Sequence, residues 1–342
     1  MRHRVIGRTY LTCALISAAI MLPATVALCG PATASEVKHF SFGYDQPHTT
    51  AYGIAADTFG EKLAALSQGS MIVDQFPGAQ LGQEPQMLQK IRSGDIDFMI
   101  SSTANAATVS PESGIMSVHF IFRDENHLTK SLADPRIVAA MRQMFEDTVQ
   151  GGHVLALATL GFRDFYGKKE IHSIADIKGV KVRVQATATE DAIFPAYGAQ
   201  TVHMPFGSVY TSLQTGVVDM AENGINVYMA NKHYEVAPIM SLSEHEANNS
   251  VIWVSDKVWT ALTAEQKAWV QAAADEVSRT EPAKALALER ESLAKLQKLG
   301  VKFVTDVDKS GFQKVAEPFQ DSTAKDLGPH AVKILELIRS VK

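Results

Sequence analysis

Lys38-His39-Phe40-Ser41-Phe42-Gly43-Tyr44, Met71-Ile72-Val73-Asp74-Gln75-Phe76 and Ile96-Asp97-Phe98-Met99-Ile100 are three short runs of strand character, and what separates them decides the fold. Between the first two, Tyr52, Ala55, Phe59, Leu63 and Leu66 recur at helical spacing, and Gly69 ends the pattern. Between the last two, Pro77-Gly78 breaks the strand, residues 84–92 read as a helix, and Ser93-Gly94 stops it. Strand, helix, strand, helix, strand in that order predicts an α/β fold with a largely parallel sheet, because parallel neighbours need a crossover between them.

The alternation continues downstream. Residues 137–149 read as a helix that Gly151-Gly152 terminates, and 153–160 as a strand. Residues 180–185 alternate, with Val180, Val182 and Val184 on one face and Lys181, Arg183 and Gln185 on the other. A helix over 189–197, strands over 200–204, 217–221 and 251–254, and a helix over 208–214 follow. Thr263 opens a long helical pattern, with Gln266 placed for a capping box. It runs to Leu299, Pro282 is expected to kink or break it, and 301–304 is expected to be a late strand. With 342 residues, two domains are the expectation, and the chain is expected to enter each of them more than once.

Apolar residues make up 46% and charged residues 20%, a globular composition that excludes extended disorder. The formal charge of −5 argues against nucleic acid and against anionic membrane as partners. Residues 1–34 read as a secretory signal: Arg2, Arg4 and Arg8, an apolar stretch over 11–28, then Ala32-Thr33-Ala34 as a small-residue cleavage site. An uncleaved anchor and a lipoprotein held through Cys29 are the alternatives. Cleavage after Ala34 removes those three arginines and no acid, which takes the formal charge from −5 to −8, and it removes Cys13 and Cys29, the two cysteines. The expected product is a soluble periplasmic protein with no disulfide and no thiol chemistry.

Enzyme signatures are missing. G-x-S-x-G, H-E-x-x-H and a G-x-G-x-x-G after a strand do not occur. Residues 161–169 nearly match a phosphate-binding loop, but the spacer is one residue too long and Lys169 stands where Ser or Thr must reach Mg²⁺. His245-Glu246 has no second histidine at helical spacing and reads as a polar strand or hinge segment. No catalytic residue, metal or cofactor is expected.

An exported two-lobed α/β chain without catalytic motifs suggests a hinged receptor, with ligand at the carboxyl ends of strands. Arg163 follows a strand, and Arg183 lies on the polar face of a strand of valines. Each needs a partner, either an internal carboxylate or the carboxylate of a ligand, which guanidinium meets bidentately. Asn223 ends a short strand and reads as a cleft amide or a turn before Gly224. Phe206 opens a helix after Pro205, as core aromatic or ligand contact. Glu84 starts a helix, where an acid helps the dipole without any ligand. Asp45 and His48 follow the first strand and are expected as polar contacts opposite the arginines, with an exposed turn residue as the alternative for His48.

A series of motifs extends these observations. They are Gln80-Leu81-Gly82-Gln83-Glu84, Gly94-Asp95-Ile96-Asp97, Gly161-Phe162-Arg163, Asp176 to Val184, Met204 to Tyr210, Leu213 to Asp219, and Ala221-Glu222-Asn223. In this order and spacing the chain resembles the DctP-type extracytoplasmic solute-binding proteins of TRAP transporters, from about Phe40 into the long helix. The resemblance implies a two-lobed periplasmic-binding-protein-like fold with hinge strands and a long C-terminal helix spanning both lobes. It implies lobe I over 35–160 plus about 249–288, and lobe II over 161–248 plus about 289–342. It implies that Arg183 pairs with the ligand carboxylate, Arg163 supports it, Asn223 hydrogen-bonds it, Phe206 packs on the ligand, and Glu84 reads hydroxyl or amine groups.

His48, Glu84 and Gln185 together suit hydroxyl groups, so a uronate or other sugar acid is the expected small-molecule partner. A C4-dicarboxylate is the alternative ligand, and a sensory module the alternative role. Ectoine fits less well, because its receptors use an aromatic-rich pocket. The implied protein partners are the small and large subunits of a membrane permease, with the receptor itself a monomer. Gln185 and Gly224 stand where many relatives carry proline, which leaves the local backbone there open. His245, Asn248 and Asn249 are expected near the crossover, to touch ligand or bridge the hinge.

Overall fold

The computed structural model describes residues 36–342, so the expected signal segment lies outside the described residues. Nine strands form one mixed sheet: β1 Lys38–Gly43, β2 Met71–Phe76, β3 Phe98–Ser102, β4 Gly152–Gly167, β5 Lys181–Val184, β6 Gln200–His203, β7 Met220–Asn223, β8 Ile239–Ser255 and β9 Lys302–Val304. The order is β2-β1-β3-β8-β4-β7-β5-β6, with β9 pairing β8. Parallel pairing holds inside each half, among β1, β2 and β3 and among β5, β6 and β7. The long strands β4 and β8 run antiparallel through the middle and belong to both halves.

These two strands are longer than the sequence suggests. The expected strand over 153–160 stops at Gly161, but Gly161 is a bulge rather than an end. Its φ is +86°, and the β4–β8 register breaks between Thr159 and Phe162 before pairing resumes at Phe162 opposite Ala247. Arg163 therefore stands inside a strand, not beyond one. The expected strand over 251–254 extends back to Ile239, because buried Ser241, Ser243, His245, Glu246, Asn248 and Asn249 hide the apolar alternation that marks a strand.

Alternation along the strands divides the core between the two faces. Met99, Val154, Leu157, Val251 and Trp253 point into one cluster of the first half, and Phe98, Ile100, Leu155, Ile252 and Val254 into the other. In the second half, Phe165, Val182, Val184 and Met220 face one cluster, and Tyr166, Ala221 and Met240 the other. Two cores on each half give the two-lobed α/β architecture.

The helix Ala264–Lys298 ties the halves together. Thr263 and Gln266 make the expected capping box. Pro282 neither breaks nor ends the helix, and it is buried in the middle of it. Val270 to Ala285 pack on the first half, and Leu296 on the second. Polar groups dock the same helix on β4: Ser278 Oγ accepts from the Leu157 amide at 2.9 Å, and Glu281 Oε2 from the Thr159 amide at 3.0 Å. Two helices that the sequence reading does not anticipate, Lys309–Leu327 and Pro329–Ser340, cross back on the other face. Phe312 and Ala316 join the second half, but Ala324, Ala331, Ile334, Leu335, Ile338 and Val341 join the first. The tail after 289 thus divides between the halves, where the sequence reading placed all of it in lobe II. Among the described residues, no helix is long and apolar enough to cross a membrane.

Candidate functional site

The inner ends of the half-sheets meet at a small cavity of about 20 Å³, lined by Asp45, Tyr52, Glu84, Arg163, Arg183 and Asn223, with Gln185, Phe206 and Asn248 among its other walls. Asp45 and Phe206 also line a neighbouring groove of about 350 Å³ that reaches Tyr210, Asn231 and His233. A larger cavity of about 510 Å³ lies elsewhere, near Arg123 and Lys309, and holds none of the sequence-predicted residues. Chemistry, not size, distinguishes the first.

Arg183 stands on β5, whose valines face the core while its polar face turns to the cavity. Its Nε and Nη2 both donate to the Met204 carbonyl, at 3.2 and 2.9 Å. The guanidinium lies 5.8 Å from the Phe206 ring centroid. No carboxylate of the described residues forms an ion pair with it, although the side chain is buried. Burial lowers its pKa, against the pull of Glu222, and the nearby Arg163 lowers it further.

Arg163 is the opposite case. It donates through Nε and Nη2 to the Glu222 carboxylate and also reaches the Glu222 carbonyl, at 3.0 Å. Glu246 Oε2 lies 3.4 Å from its Nε. Burial works against the charge on Arg163, but Glu222 and Glu246 outweigh it and raise its pKa. Of the two partners that the sequence left open for Arg163, the internal carboxylate is present.

The first half supplies acids. Glu84 Oε1 accepts from the Tyr52 hydroxyl at 3.0 Å, and Oε2 from the Ser102 amide, the Ser102 hydroxyl and Asn105 Nδ2 at 2.8–2.9 Å. A Gln83 capping box and Pro85 hold the start of its helix. Asp45 is buried beside it, and burial together with the charge of Glu84 raises the Asp45 pKa well above the usual carboxylate range. Asn223 closes β7, and its Oδ1 accepts from Asn248 Nδ2 at 2.8 Å and from the Gly224 amide at 2.9 Å. Its amide nitrogen remains for the cavity.

Gly224 carries a proline-like φ of −63°, yet a Cβ there would come within 2.4 Å of the Leu160 carbonyl oxygen. The close approach of β4 therefore explains glycine at this position. Gln185 uses its side chain instead, donating to Ser102 Oγ at 2.8 Å across the cleft. Gln83 with the Gly207 amide, at 3.0 Å, and Asn231 with Gln46, at 3.0 Å, make two more such bridges.

The fold thus brings together Arg183, Arg163, Asn223, Phe206 and Glu84. It does not bring His48, which is half exposed outside the cavity and pairs with Asp57 at 3.1 Å. Pro47 and His48 carry the chain away from the cleft, while Asp45, expected alongside His48, lines the cavity together with Gln46. Sequence reasoning missed Tyr52, Ser102 and Asn105. Tyr52 fits the apolar stripe of its helix, and a small hydroxyl at a strand end carries little signal by itself. Of the residues expected near the crossover, Asn248 lines the cavity, Asn249 donates to the Met116 carbonyl at 3.0 Å, and His245 is buried beside Glu222.

Known proteins resemble this chain in sequence and fold. The profile of bacterial extracellular solute-binding protein family 7, DctP, matches residues 42–326. The 2,3-diketo-L-gulonate-binding periplasmic protein YiaO of Escherichia coli is 28% identical over 303 residues, covering 88% of this chain and 91% of its own. A TRAP periplasmic solute-binding protein of Xanthobacter autotrophicus, solved with bound β-D-galacturonate, superposes with a TM-score of 0.82 at 29% identity, over 89% of this chain and 100% of that one. One from Polaromonas, bound to D-erythronate, gives 0.83 at 28% identity, over 89% and 99%. With the fold and the match along most of its length in agreement, this chain belongs to the bacterial extracellular solute-binding proteins of family 7, the TRAP periplasmic receptors.

Proposed function

We propose that this chain is the periplasmic receptor of a TRAP transporter for a hydroxylated monocarboxylate, a uronate or a related sugar acid, and that it delivers its ligand to a membrane permease of small and large subunits. The observation that carries the reading is Arg183: a buried guanidinium at the cavity wall, bonded to one carbonyl and to no carboxylate of the described residues. A ligand carboxylate supplies the missing charge bidentately. Asn223 adds a side-chain amide and Phe206 a ring face. Asp45 and Glu84, on the far side, present carboxyl groups that can exchange hydrogen bonds with hydroxyl groups, which a bare aliphatic acid would leave unused.

A cavity of about 20 Å³ holds little more than a water, so a sugar acid enters only when the halves part. Hinges near residues 160 and 249 fit that motion. Thr159 and Asn249 pair directly across β4 and β8, next to the bulge at Gly161. The relatives with bound galacturonate and erythronate support the ligand class.

The test is a calorimetric titration of the purified chain with galacturonate, glucuronate, gluconate, succinate and ectoine. Tight binding of hydroxylated monocarboxylates alone is expected. Binding of succinate alone would keep the receptor and overturn the ligand class. Chemical turnover of a bound acid would overturn the receptor reading.

A further inference from the structure

Beside Arg163 lies a buried compartment that ligand recognition does not explain. His119 enters it from the loop after the turn Pro111–Ser117, Glu190 from the helix Ala188–Ala196, Glu222 from β7, and His245 and Glu246 from β8. His119, Glu190, His245 and Glu246 are each at most 2% exposed. His119 Nδ1 is 3.0 Å from the Tyr197 hydroxyl, and His245 Nδ1 is 2.7 Å from Ser243 Oγ. In both rings Nε2 is the nitrogen left without a hydrogen-bond partner, and Glu246 Oε2 and both oxygens of Glu190 are left likewise.

These atoms converge. His119 Nε2 lies 4.0 Å from Oε2 of Glu190 and 4.0 Å from Oε2 of Glu246. Donor atoms of His119, His245 and Glu246 all fall within 4.8 Å of one another. Such separations are too long for hydrogen bonds. Ligand atoms of a tetrahedral zinc site lie about 3.3 Å apart, so side-chain shifts of less than about 1 Å would bring these atoms onto one ion. The charges agree: against Arg163, the carboxylates of Glu190, Glu222 and Glu246 leave two negative charges when all three are ionised, and one divalent cation cancels them. Protons on a carboxyl and an imidazole would cancel the charge too, and metal analysis of the chain separates that state from a bound ion.

We propose that His119, His245, Glu246 and Glu190 form a buried site for a divalent transition-metal ion of the zinc class, two imidazole and two carboxylate ligands being a donor set that suits it. The hydroxyls of Tyr197 and Ser243 fix the ring orientations from behind. The sequence reading set His245-Glu246 aside for want of a second histidine at helical spacing; the fold supplies it from residue 119. The ion would pin β8 to the helix that carries Glu190 and hold Glu246 against Arg163, independently of which acid the cleft takes.

The chain, produced without a histidine tag, is loaded with Zn²⁺, dialysed, and analysed for metal by mass spectrometry. In parallel it is titrated with Co²⁺ and followed by visible absorption. About one retained zinc per chain and a cobalt band of low-symmetry coordination are expected. His119→Gln and Glu190→Gln should abolish the band. Tyr197→Phe, a gentler change, should weaken cobalt binding by about 10- to 100-fold. His172→Gln, at the exposed pair with Glu170 and Asp306, should leave the band intact. A parent chain that retains no zinc and shows no cobalt band overturns the proposal, whatever the variants do. So does a band that survives His119→Gln and vanishes with His172→Gln.

Discussion

The surroundings of Arg163 and Arg183 pose the same electrostatic problem and solve it differently. Both side chains are almost fully buried, at 1% and 2% exposure. Arg163 finds its counter-ion inside the protein, in Glu222, and that pair joins β4 to β7 where the half-sheets meet. Arg183 has a backbone carbonyl and an aromatic ring but no carboxylate. A buried guanidinium with an internal partner holds the structure together, whereas one without is available to an anion from outside. The comparison separates the part of the cleft that builds the wall from the part proposed to bind.

The largest expected effect lies on the structural side. Arg163→Ala leaves Glu222 buried and unpaired and should destabilise the fold by about 3–5 kcal/mol. Urea denaturation measures it, and a loss below about 1 kcal/mol would remove the distinction drawn between the arginines. Arg183→Ala strands no carboxylate, so it should leave the urea midpoint nearly unchanged. Its cost falls on binding: affinity for the sugar acid should drop about 100-fold or more, as expected when a charge-assisted bidentate pair is lost. Calorimetry reads that value, and an affinity within about threefold of the parent would refute the clamp.

His233 sharpens the same contrast through pH. Its imidazole packs 5.4 Å from the Phe206 ring, and its Nδ1 is 2.8 Å from the Tyr166 hydroxyl. Burial, with a smaller contribution from the charge of Arg183, holds its pKa down to about 4. The unfolded chain takes up that proton first as pH falls, so the fold loses stability between the ordinary histidine pKa and pH 4, and regains it as pH rises. His233→Gln should flatten that part of the stability curve by about 1–3 kcal/mol. Denaturation at pH 7 and pH 4.5 compares the two chains, and identical slopes would show that the imidazole is not held neutral. The smallest expected change is Phe206→Leu, which removes the ring face beside Arg183 and should weaken sugar-acid binding by about two- to fivefold, with little effect on the melt.

Local pattern carried much of the fold. The alternation of Val180, Val182 and Val184 with Arg183 marked a strand with one polar face, and the apolar spacing from Tyr52 to Leu66 marked its helix. Gly69, Gly94 and Gly151 adopt positive φ just after helix ends, where the sequence reading used them as stops. The same local logic failed at Gly161, because a glycine with positive φ serves equally as a strand end or as a bulge, and only its pairing across the sheet decides. It failed again along 239–250, where burial comes from neighbouring elements and not from apolar residues in the strand itself. His48 shows a further limit: one turn after a strand, a polar side chain points into a cleft or away from it according to the path of the following helix.

The sequence by itself determined the alternation of strands and helices, the capping of the long helix at Thr263, the family, and most of the side chains that meet at the cleft. Those follow from local periodicity, from turn and cap chemistry, and from motifs whose order survives along the chain. The tertiary structure alone decided which arginine is paired. Arg163 and Arg183 carry the same group on similar strands, and the difference lies in whether Glu222, distant in sequence from Arg163 and adjacent in space, comes within reach. It also decided that His119 and Glu190 gather around His245 and Glu246. Long-range packing sets such distances, and no local pattern in the chain encodes them.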